Sequence, residues 1–272
     1  MRFRIIFIFF IFFYSKALIS QEYEGVKAPF ISSSSDSFKK GEWLKFRLHY
    51  GFFNASYASL SLEEEILKND VVYKATAIGR TTGIARLFFR VDDVYETYFH
   101  KTRVKPLRST RNIYEGGYTK NVEINYDYLN NTANINDIKN SKLSSVSIQE
   151  NVQDLISTFY YLRNHFDIEN LKINDFIKIT IFFDADNYNF KMQFLGLEDV
   201  KTKFGTVNCF KFRPYIESGR VFKDSESLTL WVSNDQNKIP IKVKAGLRIG
   251  SIEADLEQFK GLKFPFKIKI ND

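Results

Sequence analysis

The stretch "WVSNDQNKIP", residues 231 to 240, places Trp231, Ser233 and Asp235 within five positions. A hydroxyl beside a carboxylate is the raw material of a hydrolytic site, provided that a base is held against the hydroxyl. His49, His100 and His165 are scattered, and no spacing ties one of them to Ser233. The same residues also fit two strands and a turn. Leu228, Leu230 and Val232 alternate with Thr229, Trp231 and Ser233, and "NDQN" supplies short polar side chains that bond local backbone. Pro240 then opens the returning strand, where a missing amide is tolerated. On this reading Asp235 caps the connection rather than doing chemistry, and Trp231 faces away from Leu230 toward a helix, a ligand or another protein.

Other chemistries meet similar obstacles. Asp92, Asp93 and Glu96 offer carboxyl groups, but neighbours on a strand point to opposite faces, so Asp92 and Asp93 cannot be the facing pair of a glycosidase. "DADNYNFKMQFL" begins like a calcium loop at Asp184 and Asp186, yet Asn189 replaces the glycine and Leu195 the closing glutamate. It reads as a turn. Three distant histidines, one cysteine and no HExxH argue against a metal centre. Cys209 reads as a small buried apolar residue. "GRTTGIAR" lacks the spacing and lysine of a phosphate loop, and neither a GxSxG elbow nor a dinucleotide fingerprint is present. The sequence therefore assigns no catalytic, cofactor-binding or metal-ligating residue. "CFKFRPYIESGRVFK" interleaves aromatic and basic residues, so Arg213 is a candidate contact for a ligand, against the plainer reading of a strand with Phe210 and Phe212 inside.

The elements that must position these groups are mostly extended. "EWLKFRLHYGFF", "SYASLSLEEEIL" and "VVYKATAIG" alternate with period two and read as a meander turned at "KND". The β pattern continues through residues 83 to 102, then around Gly116 and Gly117. Residues 130 to 145 read as a polar loop. One segment is helical: in "SIQENVQDLISTFYYLRNHF" Val152, Leu155, Ile156 and Phe159 form a stripe, with Ser147 and Glu150 as a capping box. Tyr160, Tyr161 and Arg163 lie beside that stripe or reach toward a cavity. Strands return after the helix with no Pro/Gly-rich linker. The expected fold is mainly β, a single large curved antiparallel sheet or incomplete barrel with one packed α-helix.

Arg2 and Arg4 precede an apolar run from Ile5 to Phe13, with small residues near Ala17 and Ser20, the layout of a secretory signal peptide over residues 1–20. The run is too short to span a bilayer, where about 20 residues are needed. Residues 21–40 are serine-rich and read as a flexible segment ahead of a domain at 41–272. No cysteine stands at the cleavage point, so the chain is not expected to be a lipoprotein, and the lone Cys209 allows no internal disulfide. The formal charge is +7, and removing Arg2, Arg4 and Lys16 leaves 36 basic against 32 acidic residues, +4. That surplus does not argue for nucleic acid.

Several segments in order carry a resemblance: "GEWLKFRLHYGFFNASYASLSL", "GIARLFFRVDDVYETYF", "PLRSTRNIYEGGY", "QDLISTFYYLR", "CFKFRP", "LTLWVSNDQNKIPIKVK" and "GSIEADL". From about residue 41 to 257 the chain resembles the bacterial family of exported proteins catalogued as domain of unknown function 3108. The resemblance implies a predominantly β envelope protein with no catalytic set to transfer. It implies structural positions at Gly51, Asn54, Asp93, Asp154, Arg163, Asp235 and Pro240. The expectation is a non-catalytic periplasmic or envelope protein that binds a lipid or other amphipathic ligand between sheet and helix, with Trp231, Tyr160, Arg163 and Arg213 as candidate contacts. It needs no cofactor. An interaction module in envelope assembly, with a glycan or protein partner, and an envelope hydrolase are the alternatives.

Overall fold

The computed structural model describes residues 36–165, 168, 170–216 and 228–269. The leader and most of the segment before residue 41 lie outside the described residues. Strands β1 (Trp43–Tyr50), β2 (Phe53–Leu67) and β3 (Asp70–Thr81) form the meander, and Leu44, Phe46 and Leu48 alternate inward as their period requires. The β2–β3 turn carries Lys68 and Asn69, both at positive φ, the two-residue geometry that matches the twist of a hairpin. Helix α1 (Gly83–Phe88) interrupts the run to β4 (Asp92–Phe99), β5 (Pro106–Glu115) and β6 (Tyr118–Asp127). After β7 (Thr132–Asp137) and β8 (Lys142–Ser147) comes the packed helix α2 (Leu155–His165). The chain then forms β9 (Phe176–Phe183), β10 (Asp186–Thr202), β11 (Gly205–Ile216), β12 (Leu228–Ser233), β13 (Pro240–Gly246) and β14 (Ser251–Lys260).

The fourteen strands among the described residues make one antiparallel sheet in the order β8-β7-β6-β5-β4-β3-β2-β1-β14-β13-β12-β11-β10-β9. The halves before and after α2 join where β1 pairs β14. The expected mainly β fold with one packed helix is what the chain adopts, and the sheet is not closed into a barrel: β8 and β9 do not pair. Residues 148–154 fill the seam instead. Gln153 bonds Thr180 and Phe182 through its backbone, Phe182 meets Tyr126 at 6.1 Å between ring centroids, and Asn187 Nδ2 donates to the Ser147 carbonyl at 2.9 Å. Helix α2 lies in the concavity, with Ile156 and Tyr160 packed toward β2–β5 and Leu162 toward β9–β12.

Four sequence expectations are corrected. Residues 130 to 145 are not a loop; they carry β7 and most of β8. Only Ala133 and Ile135 of β7 point inward, and β8 is a polar edge strand, so the apolar signal was thin. The β run from residue 83 is broken by α1, which buries none of its residues. The helix is not capped by Ser147 and Glu150: Ser147 ends β8, and Val152 lies in the seam rather than on the helix. Asp154 is the cap. Its Oδ1 accepts the amides of Ile156 at 2.9 Å and Ser157 at 2.8 Å, while Ser157 Oγ accepts the Asp154 amide at 2.9 Å. Finally, packed structure begins before Gly41. Phe38 is buried among Tyr73, Phe99 and Tyr160, and Ser37 bonds the Asn164 side chain and the Arg163 carbonyl.

Candidate functional site

Between α2 and the inner face of the sheet lies a chamber of about 50 Å³. The register explains its lining. Phe46 pairs Ala58, Ala58 pairs Gly79, and Gly79 pairs Asp93, so one inward row crosses four strands. Ala58 and Ala77 are small, which leaves the space, while Leu155, Ile156 and Phe159 of α2 roof it. The volume admits a few carbon atoms or roughly three to five waters, not an acyl chain; a water needs roughly 10–15 Å³ on this measure.

Asp93 is the acidic group of this largely apolar lining. It is 2% exposed. Its Oδ1 accepts the Tyr114 amide at 3.1 Å, and Oδ2 is buried with no hydrogen-bond donor. Burial, and then the negative charge and the hydrogen-bonding carboxyl of Glu115, push Asp93 up to about 8 against the pull of the Tyr114 amide. The Asp93–Glu115 pair therefore holds a proton well above the usual carboxylate range, and Asp93 when protonated can donate to an uncharged oxygen or to Glu115. Asp92, on the opposite face as strand geometry requires, is held down at about 2, chiefly by Arg86 with Arg90 adding to it.

A second space of about 20 Å³ shares Tyr95, Leu155 and Ile156 with the first. It is polar. Asp154 receives Thr97 Oγ1 at 3.0 Å, and its Oδ2 has no hydrogen-bond donor; burial raises this carboxyl to about 6 despite the bonds from Ser157, Thr97 and Ile156. Arg111 crosses the seam to Asp184 at 2.8 Å and lies 4.5 Å over the Phe183 ring. One ordered water fits this volume and these partners.

The other sequence candidates are placed elsewhere. Arg163 is 2% exposed and forms a bidentate pair with Glu42 at 2.6 and 2.8 Å, with further bonds to the Asn237 and Ser37 carbonyls. It clamps the end of α2 to the N-terminal segment and the β12–β13 turn. Tyr160 is 0% exposed within an aromatic cluster of Phe38, Phe99 and Phe159. Neither lines the chamber.

Trp231 lies on the face opposite Leu230 but is only 7% exposed. It joins the cluster of Cys209, Ile239 and Ile241, against which Phe259, Leu262 and Phe266 pack, and Lys211 stands 5.6 Å from its ring. Arg213 is half-buried on β11, opposite Gln193. Arg163 stands 5.6 Å from the Tyr160 ring, but the four candidate contacts do not line one common site.

Ser233 and Asp235 bond each other at 2.9 Å. Asp235 Oδ1 also accepts the amides of Asn237 and Lys238, at 2.9 and 3.1 Å, and Ser233 Oγ accepts the Ile239 amide at 3.0 Å. All of these groups are buried, and their bonds close a turn. Pro240 starts β13 at a bulge opposite Val232. Gly51 turns β1 into β2 at φ 54, and Asn54 accepts from Arg47 at 3.4 Å. "DADN" is the β9–β10 turn, with Asp184 and Ala185 at positive φ. Cys209 is buried, and burial raises its thiol to about 12.

One histidine–carboxylate grouping was not foreseen. His49 Nε2 meets Asp255 Oδ2 at 2.7 Å and Nδ1 meets the Gly51 carbonyl at 2.6 Å, with Glu253 beside them. The pairing of His49 with Glu253 across β1 and β14 is a register fact invisible at a separation of about 200 residues. These groups suit a metal poorly. Both ring nitrogens are engaged, Lys242 sits 2.6 Å from Glu253, and Lys244 and Arg47 add further positive charge. Glu115 was likewise missed, although it shares the inward parity of Ile113 on β5. Among the described residues no catalytic site of a familiar kind forms, and no helix is long and apolar enough to cross a membrane.

Residues 45–257 match the family model described as "Protein of unknown function (DUF3108)". A solved β-barrel-like protein of domain of unknown function DUF1849 from Brucella abortus is similar at TM-score 0.50 and 11% identity, covering 86% of this chain and 98% of its own. That likeness concerns the fold. A putative lipoprotein from Parabacteroides distasonis matches at TM-score 0.35 and 12% identity over 84% and 99% of the two chains. A putative exported protein with YmcC-like fold from Bacteroides fragilis matches at 0.31 and 10%, over 82% and 97%. No curated protein matches the chain.

Proposed function

Because the chain belongs to the DUF3108 family of proteins of unknown function, which supplies no activity to transfer, we propose from its own geometry that it is a non-catalytic, exported envelope protein that holds an amphipathic ligand at the α2 chamber. The observation that carries this is an apolar chamber whose lining ends in the buried carboxyl of Asp93. A small apolar group of the ligand enters under Phe159 and Leu155. Its neighbouring hydroxyl, ester or amide oxygen accepts a hydrogen bond from Asp93. An anionic head is disfavoured by Glu115, and the rest of the molecule lies outside, since α2 is pinned at one end by Asp154 and at the other by Arg163.

The basic and apolar leader supports export. The hydrolase reading finds no support at Ser233, whose hydroxyl is spent on the turn. Titration with 1-octanoylglycerol tests the proposal by calorimetry and by thermal shift. Binding that Ala77→Leu abolishes, in a variant that still unfolds cooperatively, supports it. Unchanged binding in that variant, or none in the parent, overturns it.

A further inference from the structure

Three successive protrusions at one end of the sheet present large apolar side chains to solvent. The β1–β2 turn carries Phe52 and Phe53, exposed to 101% and 41%; α1 carries Leu87 and Phe88, at 83% and 85%; the β13–β14 turn carries Leu247 and Ile249, at 44% and 79%. They are neighbours. Tyr50 Oη donates to the Ile249 carbonyl at 3.1 Å, linking the two turns, and the Thr82 amide donates to the Ala55 carbonyl at 3.1 Å, setting α1 beside β2. Soluble proteins rarely present such a concentration of exposed apolar groups without a partner.

The charge at this end is basic. Arg80, Arg86 and Arg90 all converge on the single carboxylate of Asp92, at 3.7, 2.9 and 2.6 Å, and Arg248 stands between Leu247 and Ile249. The shape separates a bilayer from a protein partner. A protein interface has a contiguous, well-packed centre, whereas these exposed groups sit on three separate connections with arginines among and beside them. Exposed apolar side chains interleaved with basic ones suit the boundary between acyl chains and anionic head groups.

We infer that this end of the sheet docks on an anionic lipid surface through the β1–β2 turn, α1 and the β13–β14 turn. Asp93 and Glu115 lie toward the same end of β4 and β5, so docking would present the chamber to the membrane; the docking itself rests on the exposed tips and their charge, independently of any ligand.

Cysteine labelling tests this on the chain as the cell processes and exports it, because native Cys209 is 0% exposed and leaves an introduced cysteine to take the label. A polarity-sensitive fluorophore is placed at Leu87→Cys, at Ile249→Cys and, as a control at the opposite end, at Leu129→Cys. Vesicles of phosphatidylglycerol with phosphatidylcholine are compared with phosphatidylcholine alone. The expected result is a blue shift at positions 87 and 249 on anionic vesicles only, none at 129, and partitioning lowered about tenfold or more by F52S/L87S/F88S. Equal shifts at all three positions, no shift, or equal response to neutral vesicles overturns the inference. So does a shift that depends on protein concentration without vesicles, which would mark a self-association surface.

Discussion

Asp93→Asn isolates the energetics of the chamber, because the amide mimics the protonated acid and cannot ionise. Burial and Glu115 raise the native carboxyl from 3.8 to about 8. At about 1.4 kcal/mol per pKa unit, a rise of about four would cost the native state roughly 6 kcal/mol once the group is ionised. That cost accrues at about 1.4 kcal/mol per pH unit between the two values, so roughly 2–3 kcal/mol of it falls between pH 6 and 8. The native state keeps this proton up to about pH 8 while the unfolded chain releases it near 3.8, so the contribution is present below that lower value and is lost as pH rises toward 8.

Asp92 and Glu253, both at about 2, act in the opposite sense, losing their contribution only as pH falls below about 4. Asp154, raised to about 6, shares the direction of Asp93 but finishes titrating earlier. The interval from about pH 6 to 8.5 therefore belongs mainly to Asp93. Urea denaturation should show the parent protein losing about 2 kcal/mol across it and Asp93→Asn losing well under half as much. An identical loss in the variant, or a variant equally destabilised at both ends, would refute the reasoning.

Three further outcomes follow from the buried bonds. Arg163→Met leaves the buried Glu42 carboxyl without its guanidinium partner and should cost about 3–5 kcal/mol in urea denaturation, with part recovered in the double variant that also carries Glu42→Met. Asp154→Ala removes the acceptor for two helix amides and the Thr97 hydroxyl and should cost about 2 kcal/mol, read as a lower unfolding midpoint with reduced helical circular dichroism. Asp235→Ala orphans the amides of Asn237 and Lys238 and should cost about 2–3 kcal/mol while leaving the affinity for 1-octanoylglycerol unchanged by calorimetry.

Period-two alternation made the sheet legible, since Leu44, Phe46 and Leu48 or Phe210 and Phe212 announce one buried face. It could not announce β7 and β8, where only Ala133 and Ile135 supply the inward signal and edge position removes the need for more. The helix was visible from Leu155, Ile156 and Phe159, but its start was misplaced because a serine–glutamate spacing lacks the tertiary bond to Thr97 that favours Asp154. The opposite orientations of Asp92 and Asp93 could be read from their adjacency. The partner of Asp93 could not, because Glu115 comes alongside only through the pairing of β4 with β5. Arg163 and Trp231 looked like contacts because charge and aromaticity mark binding surfaces as readily as buried clamps. Only the position of Glu42 and the packing of Phe259, Leu262 and Phe266 on the tryptophan's cluster separate the two roles.

Native mass spectrometry of the exported form, released gently from cells, tests the central claim most directly. The account predicts added mass from a co-purifying amphipathic molecule with an uncharged polar group, retained by the parent protein and absent from folded Ala77→Leu. A parent protein that carries no added mass and takes up no 1-octanoylglycerol in the same experiment would contradict it.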